Sequence, residues 1–233
     1  PILGSDLYEA PVNRRLKKMD ATGRSGFSLV LLAKNKQGYK NLCKLTSHGF
    51  LEGFYYTPRI DQELLKEFKE GLICLVGGLD SRLAYEFFNG TRDSLYQSAL
   101  WYKEVFKDDL YFELERHSMT RESIQNDKLY EEAWALKFHQ DYIEKQNRFN
   151  EALVEVSQSL NVPLVATNDS HYLEREDWKA HEILINIQSG EPSEIWEKDS
   201  LGNPKWRIPN PKRKIYPSHE FYFKTPDEMA LLF

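Results

Sequence analysis

Apolar and polar residues follow one another along the chain in a pattern that predicts strands and helices in turn. Continuous apolar runs at 28–33 ("SLVLLA") and 71–78 ("GLICLVGG") are typical of strands buried on both faces. "DLYFELERH" alternates apolar and polar positions, and "LVAT" is a further short apolar run. Apolar residues at helical spacing lie between these runs: at 38–47, after Asp61 and after Thr91, which we expect to cap their helices, over 122–160, and from 180 to a stop at Gly190.

This alternation of strand and helix, repeated about four times, predicts an α/β fold with a parallel sheet, either an open doubly wound sheet or a barrel. Residues 191–219 are rich in Pro, Gly, Asn and charge, and we expect an extended loop or linker there. The final residues, 220–233, predict a short aromatic strand and a helix that begins at Thr225-Pro226. The opening "PILGSDLY" predicts a strand reached at once, so we expect the chain to begin within a fold.

Charge and composition narrow the function classes. The net charge is −5 and charged residues make up 29% of the chain, which excludes a uniformly basic nucleic-acid binder but leaves room for a local basic patch. No apolar run approaches the roughly 20 residues that span a bilayer, and no signal peptide is visible. Cys43 and Cys74 lie in apolar segments without metal-ligand spacing, so we expect two reduced core thiols in a cytoplasmic protein.

Acidic and histidine side chains follow several of the predicted strands. Asp6 follows "PILG", His117 follows "LYFEL", and Asp169 and His171 follow "LVAT". Functional groups of parallel β/α folds gather at the carboxyl ends of strands. Asp and His are ligands of hydrolytic Zn, Mn or Mg sites, so a shared edge would make a metal site of these four residues. Taken singly, Asp-x-His is more often a turn or helix cap, and a lone His117 is more often a polar surface residue.

One segment of the chain is locally basic. "NPKWRIPNPKRKIYP" contains no acid, and Trp206 and Tyr216 accompany its cations. Basic residues offer phosphate contacts and aromatic residues offer base stacking, so DNA binding is one interpretation. A solvated loop is the other. The candidate DNA-binding residues are Lys205, Arg207, Lys212, Arg213 and Lys214.

Five stretches together resemble the PHP (polymerase and histidinol phosphatase) domain of bacterial DNA polymerase III alpha subunits, most closely those of the Bacteroidetes type. They are "LVLLAKNKQGYKNLCKLTS", "LEGFYYTPRID", "LYFELERH", "VPLVATNDSHYLEREDWKAHEILINIQSG" and "EFYFKTPDEM", in this order. The resemblance implies a distorted (β/α)7 TIM-like barrel that lacks its first strands here. It implies a PHP domain over 1–190, a linker over 191–219, and the start of a polymerase core region over 220–233.

The resemblance also implies roles for individual residues. Asp6 falls where the family has Glu in "GxExY", Asp169 and His171 match the last ligand pair, and His117 matches the histidine after "LEL". The opening His-x-His strand of the family is not in this chain, and Gly78 stands where some members carry a cysteine. We therefore expect no catalytic residue in this fragment, and a scaffold or vestigial metal-dependent 3′-5′ exonuclease site in place of an active one.

The implied parent reaction is template-directed DNA synthesis with Mg, carried out elsewhere in the subunit. The implied partners are DNA, a proofreading exonuclease subunit and other replicase subunits including the sliding clamp, with no membrane. Two other interpretations stay open at this point. One is a free-standing metal-dependent phosphoesterase acting on a small phosphate ester, and the other is an interaction module without metal.

Overall fold

The computed structural model describes residues 2–233, which form two compact units. Of the described residues, the first unit comprises 2–115 and 146–167, and the second comprises 116–145 and 168–233. Within the described residues, no helix is long and apolar enough to cross a membrane. The predicted boundaries at 190 and 219 stay predictions.

The first unit contains a six-stranded mixed sheet. Its strands are β1 (Gly4–Glu9), β2 (Phe27–Ala33), β3 (Arg59–Ile60), β4 (Leu72–Gly77), β5 (Leu110–Glu115) and β6 (Leu164–Thr167). The order across the sheet is β3-β1-β2-β4-β5-β6. Over residues 2–233 the two edge strands do not pair with each other, so the described sheet is open.

The expectation of a parallel sheet is wrong for one strand. β2 runs antiparallel to both β1 and β4, whereas β1·β3, β4·β5 and β5·β6 are parallel. A loop joins β1 to β2 without a crossover helix. Parallel neighbours need such a crossover, so the chain returns antiparallel.

Four helices and the end of a fifth accompany this sheet in the first unit. They are α1 (Lys36–Leu51), α2 (Gln62–Phe68), α3 (Arg82–Asn89), α4 (Arg92–Phe106) and the part of α6 (Ala133–Leu160) from residue 146 onward. The predicted caps are confirmed: the Asp61 side chain accepts a hydrogen bond from the Leu64 amide, and Thr91 from the Ser94 amide. The buried apolar core of this unit includes Leu31, Leu65 and Phe112. Cys74 belongs to that core, but Cys43 is exposed, so only one predicted core thiol is confirmed.

The second unit is built from shorter elements. These are α5 (Arg121–Asn126), the first part of α6, α7 (Trp178–Ser189), β7 (Glu194–Lys198), β8 (Pro204–Pro209) and α8 (Pro226–Ala230). The helical region predicted over 122–160 is divided into two α-helices, because Lys128 takes a left-handed conformation (φ 56°) and separates α5 from α6. The predicted stop of α7 is confirmed, since Gly190 is left-handed at its end.

The segment 191–219, for which we expected an extended loop or linker, contains two paired strands in its central part. β7 and β8 pair antiparallel and form a hairpin. Its turn is stabilised by Asp199, whose carboxylate accepts hydrogen bonds from the Leu201 and Asn203 amides, and by left-handed Gly202. The Pro, Gly and charge content of the segment concealed this hairpin, because the apolar residues of its strands are few.

Candidate metal site

Asp169 and His171 lie side by side in the second unit. Asp169 Oδ2 and His171 Nε2 are 3.2 Å apart. The backbone of Asp169 is left-handed (φ 44°) and therefore not extended. Such a conformation is uncommon for a residue other than glycine, although Asp tolerates it better than most. The hydrogen bond from His171 is the main cause of the lowered pKa of Asp169, which favours the anionic carboxylate.

Aromatic side chains surround His171. Tyr216 places its hydroxyl 2.7 Å from His171 Nε2, the same atom that faces Asp169. The His181 ring lies 5.2 Å from the His171 ring, centroid to centroid. Its Nδ1 is buried without a hydrogen-bond partner among the described residues. A carboxylate, two imidazoles and a phenol therefore lie close together around His171.

His117 is fully buried and bonded to protein groups through both ring nitrogens. Nε2 lies 2.9 Å from the Asn168 carbonyl oxygen, to which it donates, and Nδ1 lies 3.3 Å from the Tyr142 hydroxyl. The ring stacks on Phe221 at 3.8 Å. Burial lowers the pKa of His117 to about 4, so the ring is neutral at pH 7. The structure thus ties the two ring nitrogens of His117 to Asn168 and Tyr142.

Asp6 does not end its strand, contrary to the expectation. It is the third residue of β1, which continues to Glu9 because its pairing with β2 extends as far as Phe27. Its carboxylate accepts a hydrogen bond from the Ser28 hydroxyl at 2.7 Å. The prediction that Asp6 follows the strand is therefore wrong.

Among residues 2–233, the side chains at this site are of the type that binds a divalent metal, but there are too few of them to hold one. Asp169 and His171 supply the oxygen and nitrogen donors that Zn and Mn accept. Three or more ligands are needed, and the described residues contain no group of three or more His, Cys, Asp or Glu placed to hold a metal ion. Gly78 adds no ligand, and a side chain there would be strained (φ 66°) and would meet the Glu115 carboxylate at 2.4 Å. We therefore derive no catalytic step through a metal.

The candidate DNA-binding cations differ in how strongly the protein already engages them. Arg213 forms two 2.8 Å hydrogen bonds to Glu132. Arg207 lies 3.6 Å from a Glu194 carboxylate oxygen and stacks over Trp196 at 5.3 Å. The other three cations, for which the described residues show no ion pair, are Lys205, Lys212 and Lys214.

Sequence reasoning missed a charged cluster in the second unit. The Asp127 carboxylate accepts hydrogen bonds from Arg175 at 2.8 Å and lies 2.9 Å from His219 Nδ1. Arg175 also donates to Glu220 at 3.2 Å, and Trp178 stacks on the His219 ring at 3.6 Å. Because its members are far apart in sequence and share no spacing, no local signal could have found the cluster.

The chain belongs to the PHP domain family, whose model matches residues 1–117. It is similar over its full length to the DNA polymerase III alpha subunits of Chlamydia pneumoniae, at 46% identity, and Borreliella burgdorferi, at 40%. It is 34% identical to that of Deinococcus radiodurans over 98% of the chain. The chain spans only 18%, 17% and 14% of the length of these relatives, respectively.

Proposed function

We propose that this chain is the PHP domain of the alpha subunit of a bacterial replicative DNA polymerase III. The observation that carries the proposal is the match to three such subunits over all or nearly all of the chain. The whole protein would catalyse template-directed DNA synthesis with Mg in the cytoplasm, at a site outside these residues. Its partners would be DNA, a proofreading exonuclease subunit and other replicase subunits including the sliding clamp. Strands supplied by the rest of the protein would complete a distorted (β/α)7 barrel.

The alternative, a free-standing phosphoesterase acting on a small phosphate ester, is disfavoured. The relatives that match the full chain are named as polymerase subunits, and the chain is less than a fifth of their length. Template-directed primer extension by the full-length protein tests the proposal against this alternative.

Within that protein the domain acts as a scaffold, with a residual metal-binding capacity in place of an active exonuclease. The support is the donor count, because the pair Asp169 and His171 stands without a third ligand in residues 2–233. A Zn or Mn ion held there would need further ligands from elsewhere, and would supply Lewis-acid activation of water. The assignment of Asp6 and His117 as additional ligands stays a proposal, and His117 would have to exchange a present hydrogen bond for a metal bond.

Asp169→Asn and His171→Ala are each expected to remove any bound Zn or Mn from the full-length protein while leaving it folded. Asp169 is half-exposed and its main partner is His171, so its loss disturbs no core contact. Elemental analysis after purification without chelator measures the effect. Asp141→Asn, at another exposed aspartate of the second unit, is the control and should change nothing. Full metal occupancy in both pair variants would refute the ligand assignment, whereas no metal in any protein would favour an interaction module.

The basic residues near the hairpin are proposed to contact DNA phosphates. Lys205, Lys212 and Lys214 are the stronger candidates, since no carboxylate of the described residues neutralises them. Arg213 is the weakest, because displacing Glu132 would cost two charge-assisted hydrogen bonds.

A further inference from the structure

An exposed surface of the first unit combines large apolar side chains with two lysines that form no ion pair with any described residue. It is formed by side chains from two segments, residues 15–18 and 50–56, and we call it the aromatic–basic surface. Phe54 is 51% exposed and Tyr56 is 69% exposed. The other members are also exposed: Arg15, Leu16, Lys17, Lys18, Phe50 and Leu51. Exposed apolar groups that lie together, rather than scattered singly, mark sites of interaction.

Polar contacts hold the two segments against each other. The Glu52 carboxylate accepts hydrogen bonds from Arg14 at 2.9 Å and from Arg15 at 2.8 Å. Arg59, fully buried beneath them, donates to the Leu16 carbonyl oxygen at 3.2 Å and to the Gly53 carbonyl oxygen at 2.9 Å. The surface is therefore fixed in place, so a ligand would not have to order it on binding.

Tyr56 occupies the tip of a tight turn in a strained conformation. Its φ is 62°, which lies in the left-handed region. This conformation is energetically unfavourable for an L-residue with a bulky side chain. Its ring contacts Tyr55 edge-on at 4.7 Å but is otherwise turned to solvent. Folding therefore gains little from a ring at this position. Because the backbone of Tyr56 is strained and its ring adds little to folding, we infer that the ring has a role in binding.

The charge of the surface is positive, although the whole chain carries −5. Neither Lys17 nor Lys18 forms an ion pair with any described residue. The carboxylate of Glu52 is already shared by the two arginines and by His48, whose Nδ1 lies 2.7 Å from it. The two lysines thus keep their full charge available for an anionic partner.

We propose that the aromatic–basic surface binds single-stranded DNA, with bases stacked on Phe54 and Tyr56 and phosphates against Lys17 and Lys18. Exposed aromatic rings together with cations are the combination that single strands require, because every base has a π face and every nucleotide has a phosphate. This inference rests on the proposed polymerase function, which supplies single-stranded template as a ligand. It adds a contact surface in the first unit, distinct from the basic hairpin residues of the second.

Photo-crosslinking of a bromodeoxyuridine-containing single strand to the full-length protein, with mass mapping of the adducts, tests the proposal at residue level. Adducts are expected within residues 50–57, and Tyr56→Asn should abolish those at position 56. Asn tolerates the left-handed backbone, so this variant removes the ring without unfolding the turn. Primer extension measured on the same preparations reports separately on the polymerase proposal.

Binding of a labelled oligodeoxythymidine gives the second readout. Tyr56→Asn is expected to weaken binding by roughly fivefold or more without changing its salt dependence, because stacking carries no charge. Lys17→Gln/Lys18→Gln should flatten the slope of log affinity against log salt by about 1.4, from about 0.7 for each lost phosphate contact. Lys36→Gln/Lys40→Gln, at exposed lysines at the other end of α1, is the charge-matched control and should leave the slope nearer to that of the wild type.

Absence of adducts in residues 50–57, together with wild-type affinity of both surface variants, would overturn the proposal. An equal loss of slope in the control would also overturn it, since the effect would then be one of overall charge. If the variants bound DNA normally but lost a replicase protein, the surface would belong to a protein partner instead.

Discussion

Glu9→Ala is expected to destabilise the first unit by about 3–5 kcal/mol, the usual cost of removing one member of a buried ion pair. Glu9 is fully buried on β1 and accepts a 2.7 Å hydrogen bond from Arg82. The Tyr102 hydroxyl donates to its other oxygen, and Gln62 also contacts it. The substitution would leave a nearly buried guanidinium and a buried phenol without their carboxylate.

Hydrogen–deuterium exchange of the β1 and β2 amides in the full-length protein measures this loss locally. The matched control is Glu86→Ala. Glu86 lies 3.8 Å from the same Arg82 but is partly exposed, so its removal should cost less than about 1 kcal/mol. Equal effects of the two substitutions would show that Glu9 is not the anchor of Arg82.

Arg59→Met is expected to cost about 3 kcal/mol or more, because it leaves several buried carbonyl groups without donors. The Arg59 side chain is fully buried and donates to backbone rather than to a carboxylate. Its acceptors are the carbonyl oxygens of Gly53, Ser25, Arg14 and Leu16, at 2.9 to 3.2 Å. Methionine fills similar space but donates no hydrogen bond.

The effect of Arg59→Met should concentrate on the segments that it joins, residues 14–18 and 52–59, as faster hydrogen exchange there. Arg24→Met is the control. Arg24 is partly exposed and donates to one carbonyl oxygen, that of Leu79, so we expect little change. Unaltered exchange in Arg59→Met would mean that the two segments hold together without it.

Features fixed by local chemistry could be predicted from the sequence. The caps at Asp61 and Thr91 depend on a side-chain oxygen that reaches an amide three residues ahead, and Gly190 depends on its freedom at positive φ. The apolar runs of β2 and β4 likewise identify these strands, because an apolar run is a property of neighbouring residues. Such signals require only neighbours in sequence.

Features fixed by distant partners could not be predicted. The direction of β2 depends on how a loop returns the chain, and the end of β1 depends on its pairing with β2, whose Phe27 lies opposite Glu9. At the candidate metal site, the sequence indicated Asp169 and His171 together. It did not reveal that Tyr216, 45 residues later, would reach the same imidazole nitrogen.

Template-directed primer extension by the full-length protein is the most direct test of the central claim, that this chain is a PHP domain within a DNA polymerase subunit. The account predicts that the protein extends a primer with Mg and the four deoxynucleotides in the order set by the template. It also predicts that Asp169→Asn extends at the wild-type rate, since the proposed polymerase site lies outside these residues. No extension, together with hydrolysis of a small phosphate ester that Asp169→Asn abolishes, would contradict the account.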